Sequence, residues 1–542
     1  MWSKFRKQIA TFLTVFSLVN LFFIPEWANL FGEHSSHQFF LTPTPFENAY
    51  FALGSTVFAM AFLLYIVVAG VEIFRLQKTL TLIYCVIVGS LLIPLNFARE
   101  ALNLFILFPN LSWASHWIYS SILIPYKIPL MIGLLFLLFQ LSKKKSRKII
   151  SYTRILGLIL VPVIYITYSN LFVQHKNNLK FVESRKTTPA LNVAPSSKAK
   201  VLWIIFDEMD YRLVFEKRPL NLKLPQLDRF KSESIFSEKA YSPSDYTLQS
   251  IPSLLSGSRV DVTAVDPTDL TLKYPNKNLE TKWSEAPNVF QQAKEMGYST
   301  ALIGWYHNYC QVVKRDLDYC RRLPAGRFGY AQNFRESVKA ILERALIFDR
   351  RLERAFVFNL QQIHNTVLEQ LKTRKYDLTF LHYSVPHKPY IYNRESRQLS
   401  AQVSRAPENY FGNLEEVDKI LGDIRQVLES NGEWNRSIVI VTTDHSWRQS
   451  EEYDGKRDFR IPFMIKMPDS IEGKITKPIS TLVTKDFILD IIANKIGTTS
   501  EAISWLEKHN RNFPKGTVLI PIEDEKSDSS VGTIPHSKPK KS

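Results

Sequence analysis

Three residues of types that bind cations, Asp207, Asp444 and His445, together with one hydroxyl, Thr247, carry the chemistry this chain can perform. Two carboxylates, an imidazole and a threonine oxygen form a four-ligand set for one divalent cation. Mixed oxygen and nitrogen ligation suits zinc or manganese better than calcium or an iron–sulfur cluster. Such a cation lowers the pKa of the threonine hydroxyl and polarises a substrate P–O bond. Threonine is a weak nucleophile without that help. Thr247 opens the stretch TLQSIPSLLSG, which ends at Gly257. The pattern predicts a short helix capped by the Thr247 oxygen and stopped by Gly257 in a left-handed conformation. Helix-start amides form an anion site, so a phosphate or sulfate would rest where the Thr247 oxygen attacks it. Pro252 argues against a regular first turn, because its ring crowds the Leu248 carbonyl. An isolated threonine in this place is ordinarily only a cap, so the case for a nucleophile rests on the rest of the chain.

The elements that must position these groups are readable from hydropathy. Four apolar runs, 201–206, 299–304, 377–381 and 437–442, alternate with amphipathic stretches, the pattern of an α/β domain with a mostly parallel sheet. Asp207 and Glu208 follow the first run, and His307 the second. His382 and His387 follow the third, and Asp444 and His445 the fourth. Ligands of open α/β sheets bind at the carboxyl ends of strands, so one edge is expected to collect all of these groups. The long helical stretch 336–372 reads as an excursion from the sheet, against a membrane or over the site. The tail 523–542 is polar and expected to be disordered.

The 542 residues carry a formal net charge of +17, which calls for anionic partners. Finger spacings, Gly-rich RNA motifs and basic-aromatic stripes are missing, so nucleic acid is excluded in favour of a membrane surface. Five apolar stretches, 9–24, 50–74, 80–97, 122–141 and 149–172, are each read as a bilayer span, which takes about 20 residues. Lys4, Arg6 and Lys7, then Arg75 and Lys78, then the run from Lys143 to Lys148 fall in alternate loops, while the intervening loops hold only Arg99. The positive-inside rule then predicts a cytoplasmic N-terminus and an outward-facing remainder. The expected organisation is a five-span domain over 1–175, a juxtamembrane linker over 176–200, a catalytic domain over 201–522, and the tail. Of three cysteines, Cys85 lies in an apolar stretch as a small buried residue. Cys310 and Cys320 would suit a hairpin disulfide in an oxidising compartment, or else are two free thiols.

Four segments carry a resemblance. LPQLDRFKSESIFSEKAYSPS, GYSTALIGWYH, HYSVPHKPY and TTDHSW followed by RIPFMIKMP resemble, in order, motifs of the alkaline phosphatase superfamily. The likeness is to its sulfatase-like membrane branch of lipoteichoic acid synthases and phosphoethanolamine transferases, and it spans most of the chain from Lys200 to about Ile492. It implies an alkaline-phosphatase-like domain, five preceding spans, and a nucleophile ten residues before the helix-closing glycine, which is Thr247. Ser242-Pro243-Ser244 imitates the sulfatase nucleophile box but lies five residues too early. Neither cysteine nor serine stands at position 247 for conversion to formylglycine, and Trp305 replaces the lysine of the second signature. Both departures favour a phospho-threonine intermediate over sulfate-ester cleavage. Ser446 replaces the usual glycine after Asp444-His445, and Arg448, Lys456 or Arg457 is expected to supply a charge that a downstream histidine gives in transferases.

The resemblance implies a two-step transferase in the bacterial-type cytoplasmic membrane, its catalytic domain periplasmic or extracellular. Thr247 takes a headgroup phosphodiester from a membrane phospholipid, and an outer-surface glycan or lipid then accepts it. His307 and His387 serve as catalytic groups that hold non-bridging oxygens or protonate the leaving group. Glu208, His382, Arg448, Lys456 and Arg457 are expected to bind substrate. Two rivals stand beside this reading, a sulfatase-like or phosphodiesterase-type hydrolase using water as acceptor, and a catalytically silent membrane scaffold.

Overall fold

The structure is a computed structural model. It describes residues 2–31, 49–90, 140, 147–184, 198, 200–265, 269–275, 277, 279–323, 333–345, 351–373, 375–404 and 406–509. The predicted disordered tail, 523–542, lies outside the described residues, as does most of the linker.

An eight-stranded sheet organises the larger part. Its strands are β1 (Lys200–Asp207), β2 (Ile235–Ser237), β3 (Thr300–Gly304), β4 (Tyr319–Arg322), β5 (Leu378–Pro386), β6 (Ser437–Thr442), β7 (Phe463–Lys466) and β8 (Gly473–Ile475). They run in the order β8-β2-β7-β6-β1-β5-β3-β4. β1 pairs in parallel with β6 and β5, and β3 in parallel with β5 and β4. β7 runs antiparallel to both neighbours. The expected mostly parallel sheet is therefore present, with the four predicted strands as its centre.

A buried parallel strand needs apolar side chains on both faces. β1 meets that need by alternation. Val201, Trp203 and Ile205 join the core on one side, with Ile251, Phe290 and Phe487. Leu202, Ile204 and Phe206 join the core on the other, with Leu360, Val417 and Trp447. Helix α5 (Thr247–Ser256) lies on the first face, and α7 (Arg351–Thr373) and α8 (Tyr410–Ser430) cover the second. Both central carboxylates thus leave a rigid, doubly covered sheet at its carboxyl edge.

The N-terminal helices form a separate bundle of α1 (Trp2–Phe22), α2 (Ala49–Ile73), α3 (Gln77–Ser90) and α4 (Val161–Ser184). Among the described residues two helices are long and apolar enough to cross a bilayer, Tyr50–Ile73 and Arg147–Val173. This corrects the expectation of five. α1 spends its first turns on Lys4, Arg6 and Lys7 and breaks at Phe23, leaving too short an apolar length. α3 is described over only 14 residues. The fourth predicted span, 122–141, lies outside the described residues apart from residue 140. Polar groups inside the bundle pair with one another: Trp27 Nε1 donates to Asn20 Oδ1 at 2.9 Å, and Asn20 Nδ2 donates to Thr167 Oγ1 at 3.1 Å. The helical excursion divides in two. α6 (Phe334–Ala345) packs Val338 and Ile341 against the bundle core, whereas α7 stays on the sheet.

Candidate active site

β1 delivers Asp207 at its end, and the chain then turns sharply. Glu208 has φ 68°. The left-handed region costs a non-glycine residue about 1–2 kcal/mol, so the turn must be held from outside. Tyr410 of α8 does this: its hydroxyl donates to the Glu208 carbonyl at 2.8 Å and accepts from Asp210 N at 3.0 Å. Its ring stacks on Trp447 at 4.0 Å between centroids. Across the turn Glu208 N donates to Asp444 Oδ1 at 3.3 Å, and Met209 N donates to Thr443 Oγ1 at 3.0 Å. The turns after β1 and β6 are thereby stitched together.

α5 begins at Thr247, and Gly257 closes it with φ 69°. The expectation that Thr247 caps this helix is corrected. Tyr246, with extended φ and ψ, is the capping residue, and its side chain makes no capping bond. Thr247 is the first helical residue, and its hydroxyl lies 3.2 Å from His445 Nε2 instead. Ser250, one turn on, donates to the Asp444 carbonyl at 2.6 Å, which fixes α5 against the turn after β6. His307 Nε2 lies 3.0 Å from the Thr247 carbonyl, as its donor. His307 therefore holds the main chain of Thr247.

Asp207, Asp444 and His382 are all fully buried and present ligand atoms within 4.8 Å of one another. His445 Nε2 joins them, 3.3 Å from Asp444 Oδ2 and 3.8 Å from Asp207 Oδ1. His382 Nε2 lies 3.9 Å from Asp207 Oδ2. Both Asp207 oxygens, Asp444 Oδ2 and His382 Nε2 are buried without hydrogen-bond partners. Orphaned buried carboxylates are costly unless a cation or proton meets them. Metal–ligand bonds near 2 Å in a tetrahedral shell set donor atoms about 3.3 Å apart, close to the spacings here. The imidazoles fit too: His445 Nδ1 lies 3.0 Å from the Ser446 carbonyl, so Nδ1 bears the proton and Nε2 keeps its lone pair. Tyr309 OH lies 2.7 Å from His382 Nδ1 and permits the same arrangement. These residues suit a divalent cation.

The electrostatics of the protein groups alone agree. Burial, then the neighbouring Asp444 and Glu208, push the Asp207 carboxyl well above the carboxylate range. Burial raises Asp444 also, but His445 and His382 outweigh it and hold Asp444 low. Burial lowers His382 to about 4 and His307 well below the usual imidazole value, so both are neutral near neutral pH. A bound cation would reverse the situation of Asp207 and keep it ionised.

The other predicted residues divide. Glu208 is buried at the site with Oε2 unpartnered, and Arg448 Nε donates to its Oε1 at 3.0 Å. The Arg448 guanidinium also lies over the Tyr246 ring, 5.2 Å from its centre, at the start of α5. His387 is half-buried; its N–H donates to the Asp207 carbonyl at 2.9 Å, its Nδ1 contacts the Lys388 carbonyl, and its ring lies against Trp305. Arg457 is set back, paired with Asp245 at 3.6 Å. Lys456 is exposed, its hydrogen bonds are made by its main chain, and it is not brought to the cluster. Cys310 and Cys320 are joined by a disulfide with Cα atoms 5.5 Å apart.

Several supporting residues carry no local sequence signal. Asn413 on α8 clamps the loop after β5: Nδ2 donates to the Pro386, His387 and Pro389 carbonyls, and Oδ1 accepts from Ile391 N and Tyr392 N. Tyr410 is of the same kind. His382, expected to bind substrate, stands with the cation cluster, and one signal for it was available. It pairs in register with Gly304, where a Cβ would lie 3.0 Å from the His382 Cβ, so the glycine makes room for the imidazole.

Comparison with known proteins agrees with this geometry. The family model described as Sulfatase matches residues 199–494. Similar solved structures include the phosphonate monoester hydrolase of Agrobacterium radiobacter, 13% identical over 59% of this chain and 78% of that one, with a TM-score of 0.39. The sulfatase PsFucS1 of Pseudoalteromonas sp. is 14% identical, covering 57% and 72%, with a TM-score of 0.40. Lipoteichoic acid synthase LtaP of Listeria monocytogenes is 15% identical, covering 57% and 76%, with a TM-score of 0.37. With more than half of its length matched by the family model, the chain belongs to the sulfatase family of alkaline phosphatase superfamily enzymes.

Proposed function

We propose that the chain is a membrane-anchored, metal-dependent transferase of a lipid headgroup phosphodiester, of phosphoethanolamine or phosphoglycerol type. The observation that carries this reading is the Thr247 hydroxyl, freed from capping and 3.2 Å from His445 Nε2, beside two carboxylates with unpartnered oxygens. Asp207, Asp444, His445 and the Thr247 oxygen, with His382, would hold one zinc or manganese ion. When bound, that ion supplies a lower hydroxyl pKa at Thr247 and a polarised P–O bond.

The chain's own groups do the rest. His307, kept neutral by burial, and Ser250 fix the backbone around Thr247, so its oxygen meets phosphorus without reorganisation. As the Thr247 oxygen bonds phosphorus, the bond from phosphorus to the lipid alcohol breaks. The alcohol leaves with the proton Thr247 gave up, exchanged through His387, the half-exposed imidazole at the site. In the second half an outer-surface glycan or lipid hydroxyl attacks phosphorus, yields its proton by the same route, and returns the Thr247 hydroxyl. Arg448 steers the anionic headgroup while its pairing with Glu208 holds it beside Tyr246.

Mass spectrometry of the full-length protein, incubated with mixed phospholipids and zinc or manganese, tests this reading. The expected result is a headgroup-sized phospho-adduct on the Thr247 peptide, absent from Asp444→Ala. An unmodified Thr247 peptide with turnover of soluble phosphodiesters or sulfate esters replaces it with a hydrolase.

A further inference from the structure

The end of the helical bundle opposite the carboxyl end of α4 holds a cavity of about 500 Å³ that the catalytic reading does not use. The chain leaves for β1 from the carboxyl end of α4, which packs His175 against Tyr50 and Phe51 at the start of α2. The cavity lies at the other end. Lys7 of α1, Arg75 of the turn after α2, and Arg147 and Arg154 of the span Arg147–Val173 line it.

Four cations face a single carboxylate there, Glu72, which is 3% exposed. Glu72 is committed: Arg154 pairs with it closely, Lys7 lies 3.4 Å away, and the Thr11 hydroxyl donates to it at 3.3 Å. Arg75 and Arg147 have no carboxylate partner among the described residues, and Arg154 Nε is buried without a hydrogen-bond partner. Arg75 is also held at φ 55°, a conformation that arginine adopts at a cost. Apart from Gln77 and Ser151 the remaining lining is apolar, with Leu80 and Ile155 among its residues. A surplus of guanidinium around a cavity that is polar on one side and apolar on the other fits an amphiphile with an anionic head.

We propose that this cavity binds the phosphate headgroup of an anionic phospholipid, one lacking a compensating ammonium, with an acyl chain along the Leu80 and Ile155 wall. The inference rests on the reading that these helices lie in a membrane. It makes the lipid a resident of the bundle, distinct from any donor consumed at Thr247.

The test uses the full-length protein in detergent, with fluorescent phosphatidylglycerol and phosphatidylcholine as probes and inorganic phosphate as competitor. Wild type should prefer phosphatidylglycerol. Arg75→Gln with Arg147→Gln should weaken its binding about twenty-five-fold, at roughly fivefold per cation, while phosphatidylcholine binding stays put. Arg75→Lys with Arg147→Lys should retain most of the preference, which separates charge from folding. Equal affinity for the two lipids, a preference untouched by the glutamine pair, or displacement by millimolar phosphate would overturn the proposal. Alkaline carbonate extraction addresses the membrane reading separately: release of the chain without detergent removes that premise before any lipid is added.

Discussion

Replacing Tyr309 with phenylalanine tests whether His382 belongs to the cation's ligand set. The change removes one oxygen and keeps the ring, which packs edge-on against Phe380 and Trp283. Tyr309 and His382 are both fully buried, and the 2.7 Å bond between them is the partner of His382 Nδ1. With Nε2 turned to a cation, Nδ1 bears the proton, and Tyr309→Phe strands that N–H in the core. An unpaired buried donor costs about 1–3 kcal/mol. At about 1.4 kcal/mol per factor of ten, zinc or manganese affinity should fall by roughly ten- to a hundredfold, the range found for outer-shell partners of metal-bound histidine. Competition against a chromogenic chelator near neutral pH reads this directly and needs no substrate. His382→Gln should weaken binding further, since it removes a ligand atom outright. The reasoning fails if both variants bind the metal as tightly as wild type. Normal affinity with lost turnover would return His382 to substrate binding.

Three further outcomes follow from the packing. Asn413→Ala leaves five main-chain groups of the His387 loop without their partner, so it should destabilise the protein by about 2–3 kcal/mol in chemical denaturation and depress turnover. Glu416, 3% exposed, has its carboxyl raised by burial from 4.5 to about 7. An acid raised on folding favours the native state below its unfolded pKa and loses that contribution as pH rises through the folded one. Glu416→Gln should therefore stabilise by up to about 3 kcal/mol at pH 8, with the gain shrinking as pH falls toward 4.5, measured as the difference in unfolding free energy. Reduction of Cys310–Cys320, which closes a loop with a sequence separation of 10, should cost about 3 kcal/mol of stability, read from melting curves with and without reductant.

The central strands and the polar residues at their ends were legible because a buried parallel strand must be apolar on both faces, and its last residue is the first that can be polar. Asp207, Asp444 and His445 obey that rule. Thr247 was legible through its distance from Gly257, but its cap geometry was not, because extended and helical φ and ψ at Tyr246 are equally compatible with the local residues. His382 was placed with substrate, since depth within a strand, and hence which atoms it meets, depends on the register of β5 against β1 and β3. Tyr410 and Asn413 come from a helix that local patterning identifies only as amphipathic. Tyr410 meets the Glu208 turn, some two hundred residues earlier in the chain, and Asn413 meets the loop after β5, whose path no local pattern gives. Lys456 is exposed and hydrogen-bonded only through its main chain, because distance along the chain from Asp444 does not fix where a charge points. In the bundle, hydropathy located apolar runs but not where a helix stops.

The packing of α6 on the bundle has a mechanical consequence. A domain joined to its anchor by one stretch of chain can swing and spin about that joint. Here the chain crosses between the two parts three times, once from α4 to β1 and twice more as it leaves β4 for α6, which packs Val338 and Ile341 on the bundle, and returns to α7 on the sheet. Three connections restrict the relative swing of the two parts more than one does.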